Sequence, residues 1–252
     1  MSEENFAAQS YGPRAGAYVA STVHAQGADL DQMEALLAGR GFGTVLDLGC
    51  GGGHVSYRAA AHAGQVVAVD VTPPMLAAVA QEAARRGIGN ITTQHAAAEA
   101  LPFGDAVFDA VLCRFTAHHW ADFAAGLREA RRVAKPGALG FFADTVAPES
   151  RALDTLLQAV ELLRDPSHVR NDAAAQWRAA LAQAGWVVES VTPRRLPLEF
   201  RSWIARTQTP LAAVTGIARL WDAAPQAARE YFALTAAGDF TIDTAVFVVR
   251  AG

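Results

Sequence analysis

The sequence predicts an α/β protein built on a doubly wound, largely parallel sheet, with helical insertions after the fifth and sixth strands. Three observations predict it. Short, near-continuous apolar runs alternate with segments whose apolar residues recur at helical spacing, the pattern of strands buried on both faces. A cluster of glycines over 49–53 closes the first apolar run, where a strand hands over to a helix. After Asp144 the alternation lapses and long helical stretches separate the last strands.

Taken in order, residues 10–40 read as helix. Tyr18, Val19, Val23, Leu30, Met33, Leu36 and Leu37 recur at helical spacing, and Gly39 and Gly41 stop the pattern. Residues 44–49, T-V-L-D-L-G, form a buried central strand, and 55–63 the helix that follows it. The run 65–70 is a second strand. Pro73-Pro74 opens a helix to Arg86, closed by Gly87 and Gly89. Residues 91–95 and 107–113 are the third and fourth strands. A helix over 122–133 stops at K-P-G, and 138–144 is the fifth strand. Helices over 151–163 and 172–184 come next, then a sixth strand over 186–191. Residues 196–238 carry no strand pattern and read as helical, punctuated by Pro197, Pro210 and Pro225. The last strand is 244–250. No internal repeat or low-complexity linker divides the chain, so 1–252 reads as a single domain.

Composition narrows the function classes. Of 252 residues, 52% are hydrophobic and 18% charged, too apolar and too weakly charged for a disordered chain. Alanine supplies 56 residues, so the smallest apolar side chain inflates that fraction. Lys135 is the single lysine among 21 basic residues, and the net charge is -4. That balance argues against nucleic acid, whose phosphates require surplus positive charge. Two cysteines, Cys50 and Cys113, exclude a disulfide scaffold and a Cys-rich zinc site. The acidic start M-S-E-E-N-F shows no signal-peptide pattern, and no apolar run is long enough to span a bilayer. The expectation is a soluble, cytoplasmic protein without a membrane span.

The strongest chemical signal is V-L-D-L-G-C-G-G-G-H, residues 45–54. Its glycines let a ligand approach the main chain closely. Asp47 lies two residues before the first glycine. A carboxylate there repels a pyrophosphate but can accept hydrogen bonds from an ammonium group or from loop amides. The dinucleotide pattern G-x-G-x-x-G requires glycine at position 54, where His54 stands, which argues against a nicotinamide-dependent oxidoreductase. Asp70 ends the second strand, where an acid can accept both ribose hydroxyls.

These features join A-E-A-L-P-F-G-D-A-V-F-D-A-V, R-F-T-A-H-H-W and R-R-V-A-K-P-G in one ordered series. Together they resemble the class I S-adenosylmethionine-dependent methyltransferases, in particular the ubiquinone/menaquinone-biosynthesis C-methyltransferase-like proteins. The resemblance runs over about 6–185, and R-D-P-S-H-V-R-N (164–171) resembles part of that subgroup's substrate-side insertion. It implies a Rossmann-like sheet of about seven strands, six parallel and the last antiparallel. It also implies a division of the domain into an N-terminal helical cap (1–40), a cofactor-binding core (41–145) and substrate-side insertions (146–185 and 196–238). The implied cofactor is S-adenosyl-L-methionine. The implied partner is a small methyl acceptor, aromatic or apolar.

Residue by residue, the resemblance places Asp47, Gly49, Gly51 and Gly53 at the methionine end of the cofactor, with Cys50 as a small residue in the same tight loop. Asp70 becomes the ribose acid, and Val71 and Met75 flank the adenine. Ala97 and Ala98 match the pair after the third strand. Relatives carry an acid for the adenine amino group at the first of these, and Ala97 departs from that. Either Glu99 substitutes or the contact is made by backbone. Cys113 and Arg114 match the end of the fourth strand, beside the transferable methyl. Asp47, Asp70 and Cys113 are expected in one crevice at the carboxyl ends of the strands.

A sulfonium-activated methyl needs positioning rather than a protein nucleophile, in keeping with the lack of a triad. A base is required only for a hydroxyl or carbon-acid acceptor, and His118, His119 and His168 are the candidates. No metal is expected: His118 and His119 are adjacent and share no helix face, and no third ligand stands at a suitable spacing. The Arg pairs at 85–86, 131–132 and 194–195 read as solvated faces, and Trp177, Trp186, Trp203 and Trp221 as core. A non-catalytic cofactor-binding or regulatory protein on the same fold is the alternative.

Overall fold

The computed structural model describes residues 26–252. Seven strands form one sheet in the order β3-β2-β1-β4-β5-β7-β6. They are β1 (Phe42–Leu48), β2 (Ala63–Asp70), β3 (Ile91–His95), β4 (Phe108–Arg114), β5 (Ala134–Thr145), β6 (Trp186–Leu198) and β7 (Phe240–Ala251). The first five pair in parallel, and β7 runs antiparallel to both neighbours, β5 and β6. The helices are α1 (Ala28–Leu37), α2 (His54–Ala59), α3 (Pro73–Arg85), α4 (Phe123–Val133) and α5 (Arg151–Arg164), then α6 (Ala174–Gln183), α7 (Phe200–Arg206), α8 (Leu211–Asp222) and α9 (Gln226–Tyr231).

Successive side chains alternate between the two faces of the sheet, and the core divides accordingly. Val45, Leu112, Phe141 and Val246 join Leu30, Met33 and Leu37 of α1 on one face. Leu46, Cys113, Phe142 and Phe247 join Leu127 of α4 and Trp177 of α6 on the other. All four tryptophans read as core are buried: Trp177, Trp186, Trp203 and Trp221.

Each expected strand is present, and three run clearly longer than expected: β5 begins at Ala134 rather than Ala138 and takes in the K-P-G read as a stop. β6 continues past Val191 to Leu198, and β7 begins at Phe240 rather than Thr244. Residues 196–198, read as helical, therefore belong to a strand. Pro193 and Pro197 hid this extension, because proline removes a ladder donor. An edge strand tolerates the loss, and β6 is the edge of the sheet. The helix expected over 10–40 is described from Ala28 onward, so Tyr18, Val19 and Val23 lie outside the described residues. Among the described residues no helix is long and apolar enough to cross a membrane.

The strand order reverses between β1 and β4: β2 and β3 extend to one side, β4 and β5 to the other. A crevice opens at the carboxyl ends of strands at such a point.

Candidate active site

The crevice is built from four strand ends. The β1 end contributes Asp47 and the glycine loop, the β2 end Asp70, Val71 and Thr72. The turn after β3 contributes Ala96, Ala98 and Glu99, and the β4 end Arg114, Phe115 and Thr116. The loop is held tightly: the Cys50 amide donates to the Val69 carbonyl at 2.8 Å and the Gly51 amide to Asp70 Oδ2 at 2.9 Å. Gly51 has φ +48° and nothing within 4 Å of where a Cβ would stand, so the space above it is open for a ligand.

Two carboxylates dominate the crevice. Asp47 is 1% exposed and accepts the Ser56 hydroxyl at 2.6 Å. Burial pushes its pKa up to about 7 despite that hydrogen bond. A cationic group arriving beside it would favour the ionised form. Asp70 is also raised by burial, while the Gly51 and Thr72 amides pull the other way, one on each carboxylate oxygen. Its remaining lone pairs can accept two further hydroxyl donors. A buried acid beside an open glycine cradle and a second acid at the next strand end suits a ligand with an ammonium group and a ribose.

Of the residues expected at the cofactor, Asp47, Gly49, Cys50, Gly51, Asp70, Val71, Met75, Ala98, Glu99 and Arg114 line the crevice. Gly53, Ala97 and Cys113 do not. Gly53 sits at φ +80° as the N-cap of α2, and Cys113 is fully buried in the core face of β4. Glu99 Oε1 accepts the Ala121 amide at 2.8 Å, so that oxygen is committed to the approach to α4. Phe115, Thr116 and Trp120 fall in the stretch 113–120 that the sequence assigns to the pocket, whereas Thr72 and Ala96 were not foreseen in the lining. Their positions just past the ends of β2 and β3 are the signal that could have found them.

A second chamber, of about 540 Å³, adjoins the first and shares Arg114, Phe115 and His119 with it. Its floor is a row across three strands, Thr145 of β5, Thr244 of β7 and Arg194 of β6, paired in register. Leu196 and Ile242, themselves paired, continue the floor as an apolar strip. Glu161 and Arg164 of α5 and Trp203 of α7 form a wall. Arg114 is clamped by Asp29 of α1 as a nearly buried ion pair that ties the N-terminal helix across the junction.

The three candidate histidines come together with Asp144. His118 Nδ1 meets Asp144 Oδ1 at 2.6 Å, and Asp144, 1% exposed, also accepts the amides of Ala117 and Thr145. Burial opposes charge on the His118 ring, yet the Asp144 carboxylate outweighs it and holds the imidazole above its ordinary value. Burial would raise Asp144, and the imidazole holds it below the usual range instead. His119 lies at the junction, pushed down to about 4 by burial and by His118. His168 lines neither cavity. It contacts Gln158 Oε1 at 2.8 Å, and burial pushes it down to about 3. His118 is thus the candidate presented to the chamber with a dedicated orienting carboxylate.

The chain is similar to several known proteins. A family model described as a methyltransferase domain matches residues 46–142. An uncharacterized protein of Escherichia coli, YafE, is 44% identical over 76% of this chain and 92% of its own length. The uncharacterized methyltransferase YcgJ of Bacillus subtilis is 33% identical over 84% of both chains. The solved structure of YcgJ superposes with a TM-score of 0.83, covering 88% of this chain and 96% of that one at 30% identity. A demethylmenaquinone methyltransferase of Thermus thermophilus is 39% identical over 37% of this chain and 43% of its own.

Proposed function

Because this chain belongs to the class I S-adenosylmethionine-dependent methyltransferases, we propose that the crevice holds the cofactor and the adjoining chamber a small methyl acceptor. One observation carries this reading: the two cavities meet at Arg114, Phe115 and His119. A methyl group presented at that junction faces whatever the chamber holds.

Bound S-adenosylmethionine supplies an electrophilic methyl group. The residues of this chain bind, orient and exclude water. Asp47 receives the ammonium, and the loop of Gly49, Cys50 and Gly51 follows the methionine chain. Asp70 accepts the ribose hydroxyls, while Val71 and Met75 flank the adenine. Glu99 Oε1 is engaged by the Ala121 amide, so the polar edge of the adenine is met either by the other oxygen of Glu99 or by backbone near Ala98. Gly53, Ala97 and Cys113 act through shape, holding the loop and the strand ends. Alignment of the acceptor atom with the methyl supplies most of the rate.

Where the acceptor must lose a proton, His118 takes it on Nε2, since Nδ1 is held by Asp144. The acceptor is small, with an aromatic or apolar body against Leu196, Leu198, Ile242 and Trp203. The partial similarity to demethylmenaquinone methyltransferase supports placing the chain near the quinone C-methyltransferases.

Calorimetry tests the cofactor site. S-adenosylmethionine and S-adenosylhomocysteine should both bind at sub-millimolar concentration. Asp70→Ala should weaken both by about 1–3 kcal/mol, the worth of lost charge-assisted hydrogen bonds. Unchanged affinity in that variant removes Asp70 from the site.

A further inference from the structure

The acceptor chamber carries a charge pattern that an apolar acceptor alone leaves unused. Five arginines line it, Arg114, Arg164, Arg194, Arg195 and Arg206, against two acids among the described residues, Asp29 and Glu161. Arg114 is clamped by Asp29, Arg164 stands 3.7 Å from Glu161, and Arg195 lies 3.1 Å from Asp243.

Arg194 differs. Among the described residues its Nη2 donates only to neutral acceptors, the Gln32 side chain at 2.8 Å and the Ala28 carbonyl at 3.3 Å. Its Nε is buried and has no hydrogen-bond partner among the described residues. A second donor is stranded in the same chamber. Asn171 is 2% exposed, and its Nδ2 has no partner among the described residues either. Its backbone is fully used: the amide donates to Gln158 Oε1 and the carbonyl accepts from Gln158 Nε2. The Asn171 backbone is therefore anchored without spending the side-chain amide. Leaving two buried donors unsatisfied costs free energy that a ligand can recover.

Register places these groups relative to the floor. Thr145, Thr244 and Arg194 are direct neighbours across β5, β7 and β6, so Arg194 lies about 10 Å across the sheet from Thr145. Asp172, next to Asn171, accepts the Ala147 amide through its carbonyl, which sets Asn171 beside the Thr145 end of the row. The stranded donors thus flank a floor whose next row, Leu196 and Ile242, is apolar. Glu161 does not turn the chamber into a cation site. Burial raises its pKa, and the charged groups that act on it are three basic ones, Arg164, His118 and Arg206, against one acid, Asp165.

We propose that the acceptor is amphipathic and bears an oxyanion, a carboxylate or a phosphate, that docks on Arg194 and the Asn171 side-chain amide. This rests on the reading of the chamber as the acceptor site. It redefines the substrate class: an apolar body alone would leave both donors unmatched.

The test separates the two readings. Protein saturated with S-adenosylhomocysteine is titrated calorimetrically with benzoate, phenyl phosphate and neutral benzamide. At least one anion should bind about tenfold or more tighter than benzamide, since hydrogen bonds to charged groups are the stronger ones. Whichever of benzoate and phenyl phosphate wins identifies the head group. Arg194→Gln should abolish the preference. Asn171→Asp, which keeps the backbone contacts and replaces the donor with a like charge, should weaken the anion about tenfold and leave benzamide unchanged. Both variants should bind S-adenosylhomocysteine within about twofold of the parent, which shows that they fold. Equal affinity for anion and benzamide, or an anion preference that survives both substitutions, overturns the proposal. Failure of the unsubstituted protein to bind S-adenosylhomocysteine would instead overturn the cofactor reading beneath it.

Discussion

At the scale of single residues, buried acids set the behaviour of the site. Asp47 has its pKa raised by burial from 3.8 to about 7. Between those values the unfolded chain has released its proton and the native protein has not. The stability contribution is therefore complete below pH 4, falls as pH rises, and is gone above about pH 7. Asp47→Asn escapes that loss. It should stabilise the cofactor-free protein at pH 8 by up to about 4 kcal/mol and make no difference near pH 4. The same substitution should weaken S-adenosylmethionine by about 1–3 kcal/mol, because the ammonium loses its counter-charge. Melting curves across pH check the first expectation, and parallel pH dependence in both proteins would refute it. His118 shifts the opposite way to its buried neighbours. NMR titration of its ring protons should give a value above the ordinary 6.5, falling in Asp144→Asn; no fall would remove Asp144 as the cause. Asp47 and Asp70 were legible in the sequence because each stands at a fixed offset from a recognisable motif. Asp144 was not. Its partner lies 26 residues earlier. Only the pairing of β4 with β5, Arg114 opposite Ala143, brings the following turn beside it. Arg194 escaped for a related reason: an R-R pair reads as a solvated face until the edge strand carrying it is seen to floor a chamber.

At the scale of elements, the turn from β1 into α2 divides its glycines between folding and binding. Gly53 caps α2 at φ +80°, and a Cβ there would meet the Tyr57 ring at 2.8 Å. Gly51, at φ +48°, would meet nothing. Both substitutions to alanine incur left-handed strain of about 1–2 kcal/mol. Gly53→Ala should cost more than that in stability, through the Tyr57 contact. Gly51→Ala should lose little beyond the strain yet bind S-adenosylhomocysteine less well, because the new methyl occupies ligand space. Denaturant melts and calorimetry on both variants separate the two effects, and equal loss of affinity and stability in both would refute the division. The same contrast explains which elements the sequence announced. β1, β2, β4 and the body of β5 are near-continuous apolar runs between glycine or proline signals, and the short, polar β3 (I-T-T-Q-H) follows the stop at Gly87 and Gly89, so their cores were placed correctly. The far halves of β6 and β7 are held by pairing to each other, Leu196 to Ile242 and Leu198 to Phe240. Nothing in T-P-R-R-L-P-L alone reports that pairing.

At the scale of the whole molecule, β7 ties the protein together. Phe247 and Val249 enter the core on one face of the sheet, and Val246 and Val248 enter the core on the other. Phe240 and Ile242, at the opposite end of the same strand, belong to a third cluster with Leu157 of α5, Trp203 of α7 and Trp221 of α8. One strand thus runs through the cofactor-side sheet and the helical wall of the acceptor chamber. We propose that 1–252 melts as one cooperative domain for that reason, although the third cluster has its own aromatic core. Phe240 is 2% exposed and packs edge-on against Trp203 at 4.8 Å. Phe240→Ala should cost about 3–5 kcal/mol, the usual range for truncating a buried phenylalanine. If β7 transmits the loss, scanning calorimetry should show a single transition moved to lower temperature, with matching calorimetric and van't Hoff enthalpies. If the helical wall folds by itself, Phe240→Ala should instead split the trace. An early transition would report the wall alone, while a later one, unmoved and still raised by S-adenosylhomocysteine, would report the sheet.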